Sequence, residues 1–305
     1  MDKVIELPDT LVLGAGGTLG EAWMRGLLSG IESTSDLDFT QCEYLVGTSA
    51  GSIVAATLVA GRRPEAGDRA AREWAAEQED EPDRNLGASL RYLGGGLART
   101  AGRLGATAAA PLTPFALAGL EPAGSAVRAA ALARVSRPDR RLEGVGAHID
   151  SLNAQFDGRL RITAVDRKRG LRVVFGSPGA PPASVRDAVL ASCAVPWLFA
   201  PVAIGDREYV DGGVWSPTNL DAAPGGRGAR VLCLAPTATA GPLRAPTTAA
   251  LVAEEMALKA RGMRVRTVTP DASSTRAIGK SLMDAGRVEG VLDAAFAQGR
   301  AMAQP

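Results

Sequence analysis

Twice in its first 60 residues, the chain runs from a short apolar stretch through a glycine-rich turn into a helical stretch. Residues 11–13 lead into the turn at 14–20, and residues 44–46 lead into the turn at 47–51. Strand, tight turn and helix in that order build parallel sheets that helices cover on both faces. The sequence therefore predicts an α/β fold, a three-layer α/β/α sandwich with a mainly parallel central sheet.

Later parts of the chain continue this pattern. Residues 161–165 and 171–175 are rich in β-branched residues and are separated by a charged turn, which predicts a hairpin. Residues 202–210 predict a second hairpin, with its turn at Gly205 and Asp206. The other predicted elements are strands at 230–234 and 264–268, and helices at 21–31, 52–60, 184–193, 249–260 and near the C-terminus.

The length and composition favour one elaborated domain over residues 1–305. Of the 305 residues, 46% are hydrophobic, which is enough to bury a large core. Between residues 62 and 141 a charged stretch gives way to Ala- and Gly-rich sequence. We interpret this segment as a helical insertion, which is either structural filler or a mobile cover over a lipid-binding groove.

Charge, cysteine content and hydropathy exclude several classes of protein. With 34 Lys and Arg against 33 Asp and Glu, the chain has no basic footprint for nucleic acid. Cys42, Cys193 and Cys233 are far apart among apolar neighbours, which predicts reduced core thiols and a cytoplasmic protein. The chain has neither a secretory signal pattern nor an apolar run of about 18 residues, so only peripheral membrane contact stays open. The sequence sets no oligomeric state.

The turn at residues 47–51 reads Gly-Thr-Ser-Ala-Gly, a Gly-x-Ser-x-Gly element between a predicted strand and a predicted helix. In this context the serine lies on a sharp, strained turn that exposes its hydroxyl. Gly47 and Gly51 remove side chains that would clash where strand and helix pass closely. The N-terminus of the helix favours negative charge developing beside it. Ser49 is therefore the predicted nucleophile.

The turn between Gly14 and Gly20 reads Gly-Ala-Gly-Gly-Thr-Leu-Gly and allows two interpretations. A dinucleotide loop needs Gly-x-Gly-x-x-Gly and an acidic residue at the end of the next strand. Here the sixth residue is Leu19, and Asp36 and Asp38 precede the second strand instead of ending it. The spacing therefore matches a dinucleotide loop only in part.

The second interpretation makes the same turn an oxyanion hole. Backbone amides at Gly16 and Gly17 would face a tetrahedral intermediate, and no side chain there would obstruct the substrate. The presence of Ser49 after the next strand favours this use.

Asp211, Gly212 and Gly213 follow the last strand of the second predicted hairpin. The two glycines allow the backbone to turn sharply and leave the carboxylate at the tip of the strand. Alone, Asp-Gly-Gly is an ordinary turn. Together with Ser49, it makes Asp211 the candidate general base.

Four blocks in this order resemble the patatin-like phospholipases along most of the chain outside residues 62–141. They are the turn at 14–20, the Gly-x-Ser-x-Gly element, the segment at 191–201 and the turn at 211–213. The third block, a Ser-x-Ala-x-Pro-x-x-Phe-x-Pro string, is the most specific of the four.

The resemblance implies a serine acyl-hydrolase, that is, a lipid esterase or phospholipase A-type enzyme with a Ser-Asp dyad and no histidine. Ser49 would form the acyl-enzyme, Asp211 would be the base, and Gly16 and Gly17 would bind the oxyanion. The implied substrate is a lipid or another acyl ester, and neither a metal nor a cofactor is implied.

Departures from the family pattern keep alternatives open. Ala15 and Leu19 stand where the family usually has glycine and Arg or Lys, which motivates a catalytically weak or inactive regulatory protein. A nucleotide-binding oxidoreductase is the other alternative.

A Ser-His-Asp triad would have to use His148, the one histidine, whose surroundings carry no catalytic signature. Residues 197–199 are either an acyl-chain wall or core.

Overall fold

The computed structural model describes residues 5–64, 124–135, 137–239 and 244–303, which contain eight strands and eight α-helices. The strands are β1 (Thr10–Leu13), β2 (Tyr44–Thr48), β3 (Leu160–Asp166), β4 (Arg172–Phe175), β5 (Val202–Ile204), β6 (Arg207–Asp211), β7 (Arg230–Leu234) and β8 (Arg264–Val268). The helices are α1 (Gly17–Glu32), α2 (Ala50–Val59), α3 (Gly124–Ala133), α4 (Glu143–Leu152), α5 (Val185–Cys193), α6 (Arg244–Ala260), α7 (Ala272–Ile278) and α8 (Val288–Ala303).

All eight strands belong to one mixed, mostly parallel sheet. Strands β3, β2, β1, β7 and β8 are neighbours in that order, and each neighbouring pair is parallel. Strands β4 and β6 pair with β3 in the antiparallel direction, and β5 pairs with β6 in the same way. The predicted fold class and both predicted hairpins are therefore confirmed.

Strand β3 has three partners although a strand has only two edges. Strand β4 pairs with both Thr163 and Ala164 and so occupies one edge. Thr163 also pairs with Thr48, the last residue of β2. Ala164 also pairs with Asp211, the last residue of β6. Strands β2 and β6 must therefore lie end to end along the second edge of β3.

Alternation along the strands directs side chains to cores on the two faces of the sheet. Leu11, Leu13 and Leu45 belong to the larger core, which also contains apolar residues of α1, α2, α5 and α8. Val12 and Val46 point to the other face, into a core shared with α6. Helices thus cover both faces of the sheet, as the three-layer prediction requires. The three cysteines are free and buried, in agreement with the prediction of core thiols.

Several element boundaries and two helices differ from the predictions. Helices α1 and α2 begin directly at the glycine turns, at Gly17 and Ala50, because each turn leads into its helix without a linker. Helix α3 lies within the segment predicted to be a helical insertion, whereas helices α4 and α7 were not predicted. In α4 the apolar spacing of Val145, Ile149 and Leu152 is helical, but Gly144 and Gly146 weaken the signal. The predicted insertion lies largely outside the described residues, and of it the structure describes residues 62–64, α3 and the segment leading to residue 141.

Candidate active site

Ser49 lies on the sharp turn between β2 and α2, as the sequence predicts. Its backbone has φ 51° and ψ −125°, a strained conformation for a residue other than glycine, and its exposed fraction is 7%. A Cβ at Gly47 would lie 2.5 Å from Cα of Ser52, and one at Gly51 would overlap the Leu13 carbonyl oxygen. Both glycines are therefore required for the close approach of α2 to the sheet.

Asp211 ends β6 and is almost completely buried, with an exposed fraction of 1%. The Gly213 N–H donates a hydrogen bond to its Oδ1 at 2.7 Å. Burial raises the pKa of Asp211 to about 7, although interactions with the Ser49 hydroxyl and the Gly213 N–H act to lower it. A carboxylate with this pKa can accept a proton near neutral pH.

The sheet register brings Ser49 and Asp211 together. Thr48 and Asp211 pair with consecutive residues on one edge of β3, so Ser49 directly follows the position where the two strands meet. Asp211 pairs with Ala164, a residue of the larger core, so its side chain lies on that face of the sheet. The hydroxyl is near enough to lower the pKa of the carboxyl group, but Oδ2 accepts no hydrogen bond from any described residue. The two side chains are therefore adjacent in the fold.

A polar network on the opposite face joins the two strand ends. The Thr48 and Thr163 hydroxyls are 2.8 Å apart. The buried Asn219 amide donates to the Thr48 hydroxyl and to the Gly212 carbonyl, at 3.2 Å in each case. A Cβ at Gly212 would lie 2.5 Å from the Thr163 carbonyl oxygen, so glycine is needed there. Sequence reasoning missed Asn219, because only the fold brings it beside the site.

The glycine loop after β1 leaves amides available. Gly14 donates to the Leu234 carbonyl at 3.0 Å, and Ala15 donates to the Pro217 carbonyl at 2.7 Å. The amides of Gly16 and Gly17, at the N-terminus of α1, have no acceptor among the described residues. Free amides at a helix N-terminus favour an anion.

The glycine loop packs against the serine turn. A Cβ at Gly51 would contact the carbonyl oxygens of both Leu13 and Gly14. The start of the loop and the start of α2 are therefore in direct contact. This contact and the strand register bring the glycine loop, Ser49 and Asp211 together at the C-terminal ends of β1, β2 and β6.

The family model described as patatin-like phospholipase matches residues 11–224. The chain belongs to this family. Membership implies lipid acyl-hydrolase activity, and it confirms the resemblance noted in the sequence. The matched range contains the glycine loop, the serine turn and Asp211, although membership alone assigns no role to individual residues.

The crystal structure of VipD from Legionella pneumophila aligns with a TM-score of 0.41 at 12% sequence identity, covering 98% of this chain and 67% of that chain. No curated protein sequence matches the chain at a significant level. Within the described residues, no helix is both long and apolar enough to cross a membrane.

The basic position of the patatin-like pattern is occupied here by a core residue. Leu19 is fully buried in the larger core, and its N–H donates to the Leu282 carbonyl at 2.9 Å. Arg25, six residues further along α1, forms a buried ion pair with Glu21 at 3.4 Å. The loop is therefore held by apolar packing and by the Leu282 carbonyl where the family usually has a cation.

The remaining candidates from the sequence occupy other places. His148 is half-buried in α4. Phe199 is a core residue whose ring lies 5.2 Å from the Arg140 guanidinium, whereas Trp197 is half-buried with φ 70°.

The Asp38 carboxylate precedes β2 and accepts hydrogen bonds from the Thr40 N–H and hydroxyl. Strand β2 thus ends without the acidic residue that a dinucleotide ribose requires.

Proposed function

We propose that this patatin-like chain is a serine acyl-hydrolase, of the lipid esterase or phospholipase A type, with Ser49 as nucleophile and Asp211 as general base. The single observation that carries the proposal is the meeting of the two strand ends on β3, because Ser49 directly follows one strand end and Asp211 is the other. The raised pKa of the buried carboxyl group adds support, because it makes Asp211 a stronger base than an exposed aspartate.

The reaction begins when Asp211 accepts the Ser49 hydroxyl proton as the oxygen attacks the ester carbonyl carbon. The resulting oxyanion is held by the amides of Gly16 and Gly17, and donors of this kind contribute on the order of 3 kcal/mol each. Collapse of the tetrahedral intermediate breaks the ester bond, and the alcohol leaves with the proton held by Asp211. An acyl-enzyme on Ser49 remains.

The second half of the reaction uses the same groups. Asp211, deprotonated again, accepts a proton from water, and the water oxygen attacks the acyl-enzyme carbonyl. The oxyanion returns to the same two amides. Collapse then releases the carboxylic acid and restores the Ser49 hydroxyl with the proton from Asp211. Water is the second substrate, and every other group that takes part in these steps belongs to the chain or to the ester.

Fluorophosphonate labelling tests the nucleophile directly. We expect intact-mass analysis to show one adduct, and peptide mapping to place it on Ser49. Hydrolysis of a short-chain p-nitrophenyl ester should be lost in Ser49→Ala and in Asp211→Asn. Ser274→Ala is the matched control, because Ser274 is a buried, hydrogen-bonded serine in α7.

An inactive regulatory or interaction protein is the competing proposal, supported by the burial of Leu19 at the usual basic position. It predicts a folded wild-type protein that is inert towards esters and phospholipids and that fluorophosphonate does not label. That result would refute the hydrolase proposal.

A further inference from the structure

The C-terminal end of α5 contacts both members of the proposed dyad. Ser192 is fully buried, and its Oγ accepts a hydrogen bond from the Ser49 N–H at 2.8 Å. Two residues later, the Ala194 carbonyl accepts a hydrogen bond from the Asp211 N–H at 3.0 Å. A segment of three residues therefore joins the backbones of the nucleophile and the base.

We propose that Ser192 is a positioning residue for Ser49, an inference that rests on the proposed hydrolase function. Its hydroxyl oxygen holds the amide of the strained turn and fixes the direction of the Ser49 side chain towards Asp211. The family resemblance identified this segment only as a sequence block, whereas the structure gives Ser192 a specific contact.

The strain at Ser49 is the physical reason why the turn needs this contact. A positive φ persists in a residue other than glycine only when its surroundings hold the backbone in place. On the carbonyl side, the Ser52 N–H and hydroxyl donate to the Ser49 oxygen at 2.7 and 2.6 Å. On the amide side, the contact is the Ser192 hydroxyl. Ser192 therefore completes the support of the Ser49 backbone.

The neighbouring thiol shows how closely α5 approaches the dyad. Cys193 Sγ lies 3.8 Å from the Ser52 hydroxyl. Burial and the nearby Asp211 carboxylate raise the pKa of this thiol, while hydrogen bonding with the Ser52 and Ser49 hydroxyls acts to lower it. Both dyad side chains thus lie beside the last residue of α5, so a shift of this helix end would change the distance between them.

The test compares kcat and KM for ester hydrolysis in Ser192→Ala and Ser192→Cys. Ala removes the acceptor, while Cys keeps the volume and supplies a weaker one. Ser274→Ala is again the control, since its hydroxyl is equally buried and donates to Gln298 at 2.9 Å. Thermal midpoints and the rate of fluorophosphonate labelling are measured for every variant, so that loss of fold is separated from loss of alignment.

We expect Ser192→Ala to lower kcat by about ten- to hundredfold, with KM changed by less than about twofold, because misplacement acts on the reacting atoms and not on binding. Fluorophosphonate labelling should slow in parallel, Ser192→Cys should lie between Ala and wild type, and Ser274→Ala should keep wild-type kcat. A wild-type kcat in a folded Ser192→Ala variant, or equal losses in Ser192→Ala and Ser274→Ala, would overturn the positioning role and leave the hydrolase proposal intact. An inert wild-type protein would instead refute both.

Discussion

Thr48 and Asp211 pair with consecutive residues, Thr163 and Ala164, on the same edge of β3. A parallel strand and an antiparallel strand thus end at the same point, one arriving from each end of β3. Ser49 is the first residue after β2, and Asp211 is the last residue of β6. Ser49 and Asp211 are 162 positions apart in sequence, and strand pairing brings them together. Strand pairing is more rigid than a contact between loops.

The activity should depend on the ionisation of Asp211. The base must be deprotonated, and burial raises its pKa to about 7. We expect kcat/KM for ester hydrolysis to fall about tenfold per pH unit below this value and to level off above about pH 8. A pH series with a short-chain ester measures the acid limb. An inflection near pH 4, the range of an exposed aspartate, would contradict the buried base.

Stability should depend on the same carboxyl group, with the opposite sign. The unfolded pKa is about 3.9 and the folded pKa is about 7, so the folded state binds the proton more tightly. The free energy of unfolding therefore falls as pH rises between these two values, and the loss is complete above about pH 7.

Asp211→Asn removes this pH-dependent loss in the free energy of unfolding, because the Asn amide does not ionise. Relative to wild type, the variant should gain stability between pH 5 and pH 8. Urea denaturation at the two pH values measures the difference, and other titrating groups cancel between the two proteins. An equal effect of the substitution at both pH values would show that Asp211 does not carry the raised pKa.

Gly16→Ala should disable the glycine loop. A Cβ at this position would lie 2.7 Å from Cγ of Pro236 and 2.6 Å from Cα of Gly20, so the loop must shift. We expect kcat to fall by about 10²- to 10³-fold, as for the loss of an oxyanion donor. Gly226→Ala is the control, because a Cβ there would contact nothing within 4 Å. If Gly16→Ala keeps wild-type kcat, the amides of this loop do not bind the oxyanion.

Leu19→Arg should destabilise the protein without improving catalysis. The side chain of Leu19 is fully buried among apolar residues, so the introduced guanidinium would be buried in an apolar environment without a carboxylate placed to pair with it. A loss of about 3–5 kcal/mol in the free energy of unfolding is expected. Leu19→Met, which keeps the volume, should cost less than about 1.5 kcal/mol. A stable and more active Leu19→Arg protein would show that the loop accepts the family's cation.

The order and type of the main elements could be read from the sequence because the signals are local. Apolar runs, glycine turns and β-branched hairpins depend on neighbours within a few residues. Helix α4 was missed because Gly144 and Gly146 interrupt its helical spacing. Helix boundaries at Gly17 and Ala50 were placed late because a turn that leads directly into a helix leaves no separate capping signal.

For the candidate site, the sequence by itself determined which residues carry the chemistry: the serine on its glycine-flanked turn, the aspartate before two glycines, and a loop of bare amides. Only the tertiary structure decided that β2 and β6 end at one point on β3, that Ser192 holds the Ser49 amide, and that Asn219 joins the strand ends from the other face. The physical reason is that turn chemistry is encoded in adjacent residues. Burial, the pKa of Asp211 and strand register depend on partners that are distant in sequence, such as Ala164, which pairs with Asp211, and Thr163, which pairs with Thr48.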